Sequence, residues 1–356
     1  MKLLNDWLGF FKPLQVKNLQ IFWSGQACAL IGMWLQVTAM GILVYSISGG
    51  SATAVGLLAA LNALPFFLGG MLLAGLGDRF DRRKLLIAVQ SVQWLVAAVL
   101  FLLTFLDALQ LWHLYAAGLV MGINQTVGFP TQQAFVGDLI PRKQLQEAVG
   151  MYSLVFNTCR AVGPALAGYI IAEWGAATAF GGNVLASLPL IGCLVSLKGH
   201  ISEAAAPKKQ RGSGRKVSGL KAVLSTRSLL FIMLSALIQN ICGQSLYQIV
   251  PALMHGNPRN TGLILGAVGA GAMVSILLVM PFARKSDRVG AKLSSGTLWM
   301  GSALCVAGIV TVVDSLGVQA TIIMAGGLEA LFSIWMLSVP FWRNFRFTPD
   351  DCLEGA

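Results

Sequence analysis

Gly75-Leu76-Gly77-Asp78-Arg79-Phe80-Asp81-Arg82-Arg83-Lys84 carries six charges in ten residues. The apolar stretches on either side carry almost none. Each of those stretches is long enough to cross a bilayer as a helix. A short charged segment between two such stretches reads as a tight cytoplasmic turn, and the rest of the chain is organised around turns of this kind.

The chain has 356 residues, 56% of them hydrophobic and only 11% charged, with a mean hydropathy of +0.73. A soluble domain is nearer a quarter charged. Apolar runs of membrane-spanning length recur throughout, which predicts an all-α integral membrane protein. Ten spanning helices are expected, over residues 19–47, 52–76, 85–106, 111–137, 145–172, 177–197, 228–254, 261–283, 292–313 and 317–340.

Basic residues fall on one side of this topology. Of the 25 lysines and arginines, 23 lie before the first helix or after an even-numbered one. Only Arg259 sits in an opposite-side loop, and Arg160 lies inside a helix. By the positive-inside rule both termini are cytoplasmic. The same placement explains the net charge of +11 without nucleic acid as a partner.

Four regions follow. Residues 1–17 set Leu3, Leu4, Trp7, Leu8, Phe11 and Leu14 among three lysines, which suits an interfacial helix on the membrane surface; a disordered lead-in is the alternative. Residues 18–197 form a six-helix lobe. Residues 198–227 are a basic linker held at the anionic leaflet by lipid. Residues 228–356 form a second, four-helix lobe. The halves look related, because the turn at Gly75–Lys84 has a counterpart in Asp287-Arg288-Val289-Gly290-Ala291-Lys292 at the same place in helix order. Repeated halves are a common plan for rocking carriers.

No catalytic constellation is visible. The six cysteines and three histidines form no metal-spaced group, and no Gly-Lys-Thr phosphate loop is present. The expectation is neither an enzyme nor an ATP-driven pump, with no metal and no cofactor.

These residues resemble the major facilitator superfamily, and within it the branch of bacterial enterobactin and macrolide exporters, the transmembrane secretion effector type. The charged turn is similar to that superfamily's signature between its second and third helices. Asn18–Gln26, Trp34-Leu35-Gln36 and Val44-Tyr45 look like that branch's first helix. Pro130–Pro141 and Asn157–Gly168 look like its fourth and fifth, and Pro251 with the glycines from Gly262 to Gly271 its seventh and eighth. Such proteins have twelve helices, so the resemblance implies that the last two are lacking. Thr348–Gly355 looks like the lead-in to an eleventh, the helix against which Asp78 would pack.

Candidate functional residues then group as follows. Gly75 and Gly77 allow a sharp helix exit, and Asp78 can pair with Arg79 or Arg82. With Arg83 they form a gating turn which, by resemblance, latches the outward-facing state; a plain positive-inside anchor is the alternative. Arg160, Gly163, Pro164 and Gly168 form a helix-bend motif that resemblance associates with antiport export. Gly262, Gly266 and Gly269 offer a second small face that it could meet, and ordinary helix packing is the competing reading.

Gln36, Gln125, Gln132, Asn240, Gln244 and Gln248 are expected to line a substrate cavity, because amides inside a membrane need water or one another; hydrogen bonding between helices is the alternative for each. Glu329, near the middle of the tenth helix, is the candidate proton-coupling carboxylate, against an interior acid with no transport role.

Together these imply proton-coupled efflux of a small amphipathic molecule, siderophore or drug-like, by alternating access in a bacterial inner membrane. A non-transporting remnant and an importer on the same fold are the alternatives.

Overall fold

The computed structural model describes residues 16–73, 80–140, 145–197 and 245–283. Among them every regular element is an α-helix: α1 (Lys17–Ile47), α2 (Ala52–Leu73), α3 (Arg82–Phe105), α4 (Leu111–Leu139), α5 (Leu145–Trp174), α6 (Ala176–Ser196), α7 (Ser245–Leu253) and α8 (Pro258–Ala283). Hydrocarbon offers the backbone no hydrogen-bond partner, so a spanning segment must satisfy its own amides, as a helix does. The interfacial segment, the linker, the turn from Gly75 to Arg79 and the spans at 292–313 and 317–340 lie outside the described residues, as does most of 228–254.

Two helix starts differ from the sequence reading by three residues. α3 begins at Arg82 rather than 85, because the Asp81 carboxylate accepts a 2.9 Å hydrogen bond from the Lys84 amide and caps the helix. Arg82, Arg83 and Lys84 therefore belong to its first turn. α8 begins at Pro258 rather than 261. Asn257 Oδ1 accepts from the Asn260 amide at 3.1 Å, and proline suits the first helical position, where its missing donor costs nothing. Between α5 and α6 the chain turns at Gly175 alone, with φ at 81°, a conformation glycine adopts without strain.

The chain forms two compact units, residues 1–206 with 248–273, and residues 207–247 with 274–356. The first contains most of the described helices. Its residues 248–273 are ones that the sequence division at 198–227 assigns to the second lobe.

Within this unit α1 packs most extensively against α6 and α5, α2 against α4, and α3 against α6 and α4. In its most apolar window α1 is 67% buried, whereas α3 is only 17% buried. So α1 is the central post, and α3 presents Leu95, Val99, Leu102 and Phe105 outward. Exposed leucine and phenylalanine on such a helix suit contact with lipid.

Four described helices, α1, α3, α5 (from Gly150) and α6, are long and apolar enough to span a membrane. α4 has 29 residues, but Asn124, Gln125, Thr126, Thr131 and Gln132 interrupt its apolar run.

α5 approaches α8 backbone to backbone. A Cβ added to Gly262 would lie 2.5 Å from the Pro164 carbonyl oxygen and 2.9 Å from the Gly168 Cα, and one on Gly269 would lie 2.5 Å from the Ala161 nitrogen. The small faces of the two helices thus meet, and no side chain larger than hydrogen fits between them. On another side of α5, a Cβ on Gly163 would fall 2.5 Å from the Trp34 Cβ of α1.

Gly262→Ala should therefore destabilise the folded chain by about 1–3 kcal/mol through overpacking. Gly56→Ala, where no atom lies within 4 Å of the new Cβ, should be neutral or stabilising by about 0.5–1 kcal/mol. Unfolding midpoints in lipid nanodiscs separate the two.

Candidate functional site

The basic helix ends are tied together by two arginines that start α3. Arg82 Nη1 donates to both carboxylate oxygens of Asp138, at 2.7 and 2.9 Å, at the end of α4. Arg83 donates from Nε to the Leu194 carbonyl at 2.5 Å and from Nη2 to the Val195 carbonyl at 2.9 Å. Those carbonyls belong to the last turn of α6, where orphan acceptors and the helix dipole favour a cation. Of the expected gating turn, Arg82 and Arg83 are thus placed, with partners the sequence did not indicate. Gly75, Gly77, Asp78 and Arg79 lie outside the described residues. The signal for Asp138 was its position, an acid at the end of a helix that precedes Arg142 and Lys143.

Further along the helices, α1, α3 and α4 line a partly open cavity of about 60 Å3. Its polar lining consists of Gln26 from α1, Gln90 and Gln93 from α3, and Asn124, Gln125 and Gln132 from α4. Helical spacing brings these together, because Gln90 and Gln93 are one turn apart and Gln125 and Gln132 two turns apart. Leu30, Met33 and Phe129 add apolar wall.

Several of the amides are already oriented. Asn124 Nδ2 donates to the Val89 carbonyl at 2.8 Å and to Gln93 Oε1 at 3.4 Å. Tyr152 donates to Gln132 Oε1 at 3.4 Å. Gln26 Oε1, Gln93 Nε2 and Gln132 Nε2 are buried with no partner among the described residues. Gln125 and Gln132, two of the six residues expected to line a substrate cavity, lie in the wall of this space. Gln26, Gln90, Gln93 and Asn124 were missed; each is a polar residue in an apolar run, but periodicity alone does not say which faces converge.

Gln36 is elsewhere. It is 0% exposed, accepts from Asn183 Nδ2 at 2.6 Å and donates to the Met121 sulfur at 3.0 Å. It joins α1 to α6 and α4 and is not among the residues that line the cavity. Gln248 on α7 is half-buried and also lies outside that lining. Asn240, Gln244 and Glu329 fall outside the described residues. Arg160 is 7% exposed, with its guanidinium 5.9 Å from the centre of the Trp34 ring, so it bridges α5 and α1. Gly163 abuts the same tryptophan, while Pro164 and Gly168 face α8.

At the opposite helix ends the α7–α8 turn is fastened to α1, and the start of α8 to α5. Tyr45 Oη lies 3.4 Å from His255 Nδ1, and Arg259 forms an ion pair with Glu173. His255, with φ at 50°, and Gly256, with φ at 71°, make the tight turn. No group of three or more potential metal ligands occurs among the described residues.

Comparison with known proteins places these features in a wider setting. Residues 8–339 match the profile of a family described as transmembrane secretion effector. The chain is 28% identical over 160 residues to the staphyloferrin A transporter of Staphylococcus aureus, a match covering 45% of this chain and 40% of that one. It is 25% identical over 175 residues to macrolide efflux protein A of Streptococcus pyogenes, covering 49% and 41%. It is 24% identical over 303 residues to the enterobactin exporter of Citrobacter koseri, covering 78% and 70%. The chain thus spans less than half the length of the first two of these relatives.

Among solved structures, it superposes with a TM-score of 0.59 on a bacterial homologue of the human lysosomal transporter Spinster in an inward-facing, unoccupied conformation, at 15% identity and covering 97% of this chain and 78% of that one. The inward-open xylose transporter XylE from E. coli gives a TM-score of 0.55, also at 15% identity, covering 92% and 80%. These two likenesses concern the fold.

Two outcomes follow from the contacts. Arg82→Asp should destabilise the chain by about 1.5–3 kcal/mol by removing a hydrogen-bonded charge pair, and Arg82→Asp with Asp138→Arg should recover at least half of that in the unfolding midpoint. Gln36→Leu should cost about 1–2 kcal/mol by leaving Asn183 without its acceptor, and adding Asn183→Leu should reduce the loss in the same assay.

Proposed function

We propose that this chain, which belongs to the transmembrane secretion effector family of the major facilitator superfamily, is a secondary active exporter of a small amphipathic molecule, a siderophore or a drug. The observation that carries the reading is the partly open cavity between α1, α3 and α4, whose polar lining among the described residues is made of amides. Amides are costly in hydrocarbon unless they meet partners or water. A cluster of six amide residues around an open space suits a binding surface better than packing. The matched relatives are named for staphyloferrin A transport, macrolide efflux and enterobactin export, which favours efflux over an importer or a non-transporting remnant.

In this proposal two lobes, residues 18–197 and 228–356, rock about a central site in a bacterial inner membrane, with both termini in the cytoplasm. The charged turn with Asp78 gates the cytoplasmic end, anchored there through Arg82 and Arg83. The Tyr45–His255 and Glu173–Arg259 contacts hold the other end and break when that side opens. Protons drive the cycle through Glu329, because protonating a carboxylate inside the membrane removes a buried charge and changes the balance between conformations.

Reconstituted into proteoliposomes, the chain should exchange a labelled macrolide or an enterobactin-type siderophore in counterflow and accumulate it when a proton gradient is imposed. Glu329→Gln should lower gradient-driven accumulation by about tenfold, while counterflow at equal pH remains within about threefold. Accumulation unchanged by Glu329→Gln would remove that residue from the coupling step. A chain that shows no counterflow of any solute would end the exporter reading.

A further inference from the structure

Exposed aromatic side chains among the described residues are Phe80, Phe105, Trp112, Tyr169 and Trp174, each more than half exposed. All lie at or near helix ends: Phe80 just before α3, Phe105 at its end, Trp112 in the first turn of α4, and Tyr169 and Trp174 in the last two turns of α5. Further from the ends, the large exposed side chains of the same helices are aliphatic: Leu95 and Val99 on α3, Val120 and Ile123 on α4, Val162 and Leu166 on α5.

Phe105, Trp112, Tyr169 and Trp174 share one end of the unit. α3 and α4 are joined there by residues 106–110, and α5 turns into α6 at Gly175. The other end is that of Arg82, whose partner Asp138 lies at the end of α4. The two ends differ in kind. Arg82, Arg83 and Lys84 open α3, whereas the two connections at the aromatic end carry no basic residue and one acid, Asp107.

The rings there are held in place. Trp112 Nε1 donates to Gln110 Oε1 at 2.9 Å, and its ring centre lies 3.8 Å from that of His113. Tyr169 and Trp174 meet edge to face, with ring centres 5.8 Å apart and planes at 88°. Phenol and indole join an apolar ring to a polar handle, which favours the headgroup level of a bilayer over its hydrocarbon. Length agrees with that placement. α3 rises about 35 Å from Arg82 to Phe105, slightly more than the roughly 30 Å of hydrocarbon, so with Arg82 at one headgroup level Phe105 reaches the other. A partner helix is the poorer occupant. Close helix contacts in membranes favour small residues, and where α5 meets α8 it does so through Ala161, Pro164 and Gly168.

We propose that Phe105, Trp112, Tyr169 and Trp174 form an interfacial girdle whose partner is the headgroup and glycerol layer of one bilayer leaflet, the leaflet away from Arg82. The connection 106–110 and the turn at Gly175 then lie at the membrane surface. This does not depend on the exporter reading.

The test keeps the full chain, labelled with fluorotryptophan, in nanodiscs of phosphatidylcholine. The fluorine resonances of Trp112 and Trp174 are assigned by their loss in Trp112→Phe and Trp174→Phe. One nanodisc preparation then carries a lipid with a nitroxide near the headgroup end of its acyl chain, and a second carries the nitroxide near the methyl end. The first lipid should broaden both resonances at least about threefold more than the second, because the girdle lies at headgroup level. If an assigning variant folds poorly, Trp→Tyr at the same position replaces it, since only the native chain is measured.

The opposite order at either residue places it in hydrocarbon and overturns the proposal. No response to either lipid overturns it as well, and a water-soluble gadolinium chelate then shows what surrounds the rings: strong broadening means water, and none means protein.

Discussion

Lipid is as apolar as leucine, so burying a leucine between two membrane helices gains little over leaving it in the bilayer. That constraint governs the described unit. Its helices are held by close backbone approach and by a few polar pairs. α5 shows the first device, because Gly168, Ala161 and Pro164 meet Gly262 and Gly269 with no room for a methyl group, and Gly163 meets Trp34. α1 shows the second, because Gln36 is clasped by Asn183 and Met121. Neither device survives a change in size or polarity at its centre.

The same constraint orders the polar groups by depth. The two ion pairs sit at the helix ends, Arg82–Asp138 at one and Arg259–Glu173 at the other, and the one buried arginine among the described residues, Arg160, lies over the Trp34 ring. Between them, the polar lining of the cavity among the described residues is made of neutral amides. A charge at depth is costly, whereas an amide can be satisfied by a partner or a guest.

Much of this was legible in the sequence. The apolar runs predicted helices, and the limits of the first six agree with the described ones to within three residues. Asp81 and Asn257 are capping residues, and recognising them moves the starts of α3 and α8. Gln125 and Gln132 could be marked because two amides two turns apart in an apolar helix must share a face. The partners were harder. Asn183 lies 147 residues from Gln36, and Asp138 lies 56 from Arg82. Nothing local in either segment announces the other, so Gln36 read as a cavity residue when it is a clasp between helices.

By itself, the sequence determined class, because hydropathy is a property of each segment alone. It also determined where small residues permit close packing, since a glycine's lack of a side chain is a local fact. Only the tertiary structure decided which polar groups meet. A helix shows every residue on some face, and whether that face meets an amide, a tryptophan or lipid depends on how the other helices pack around it.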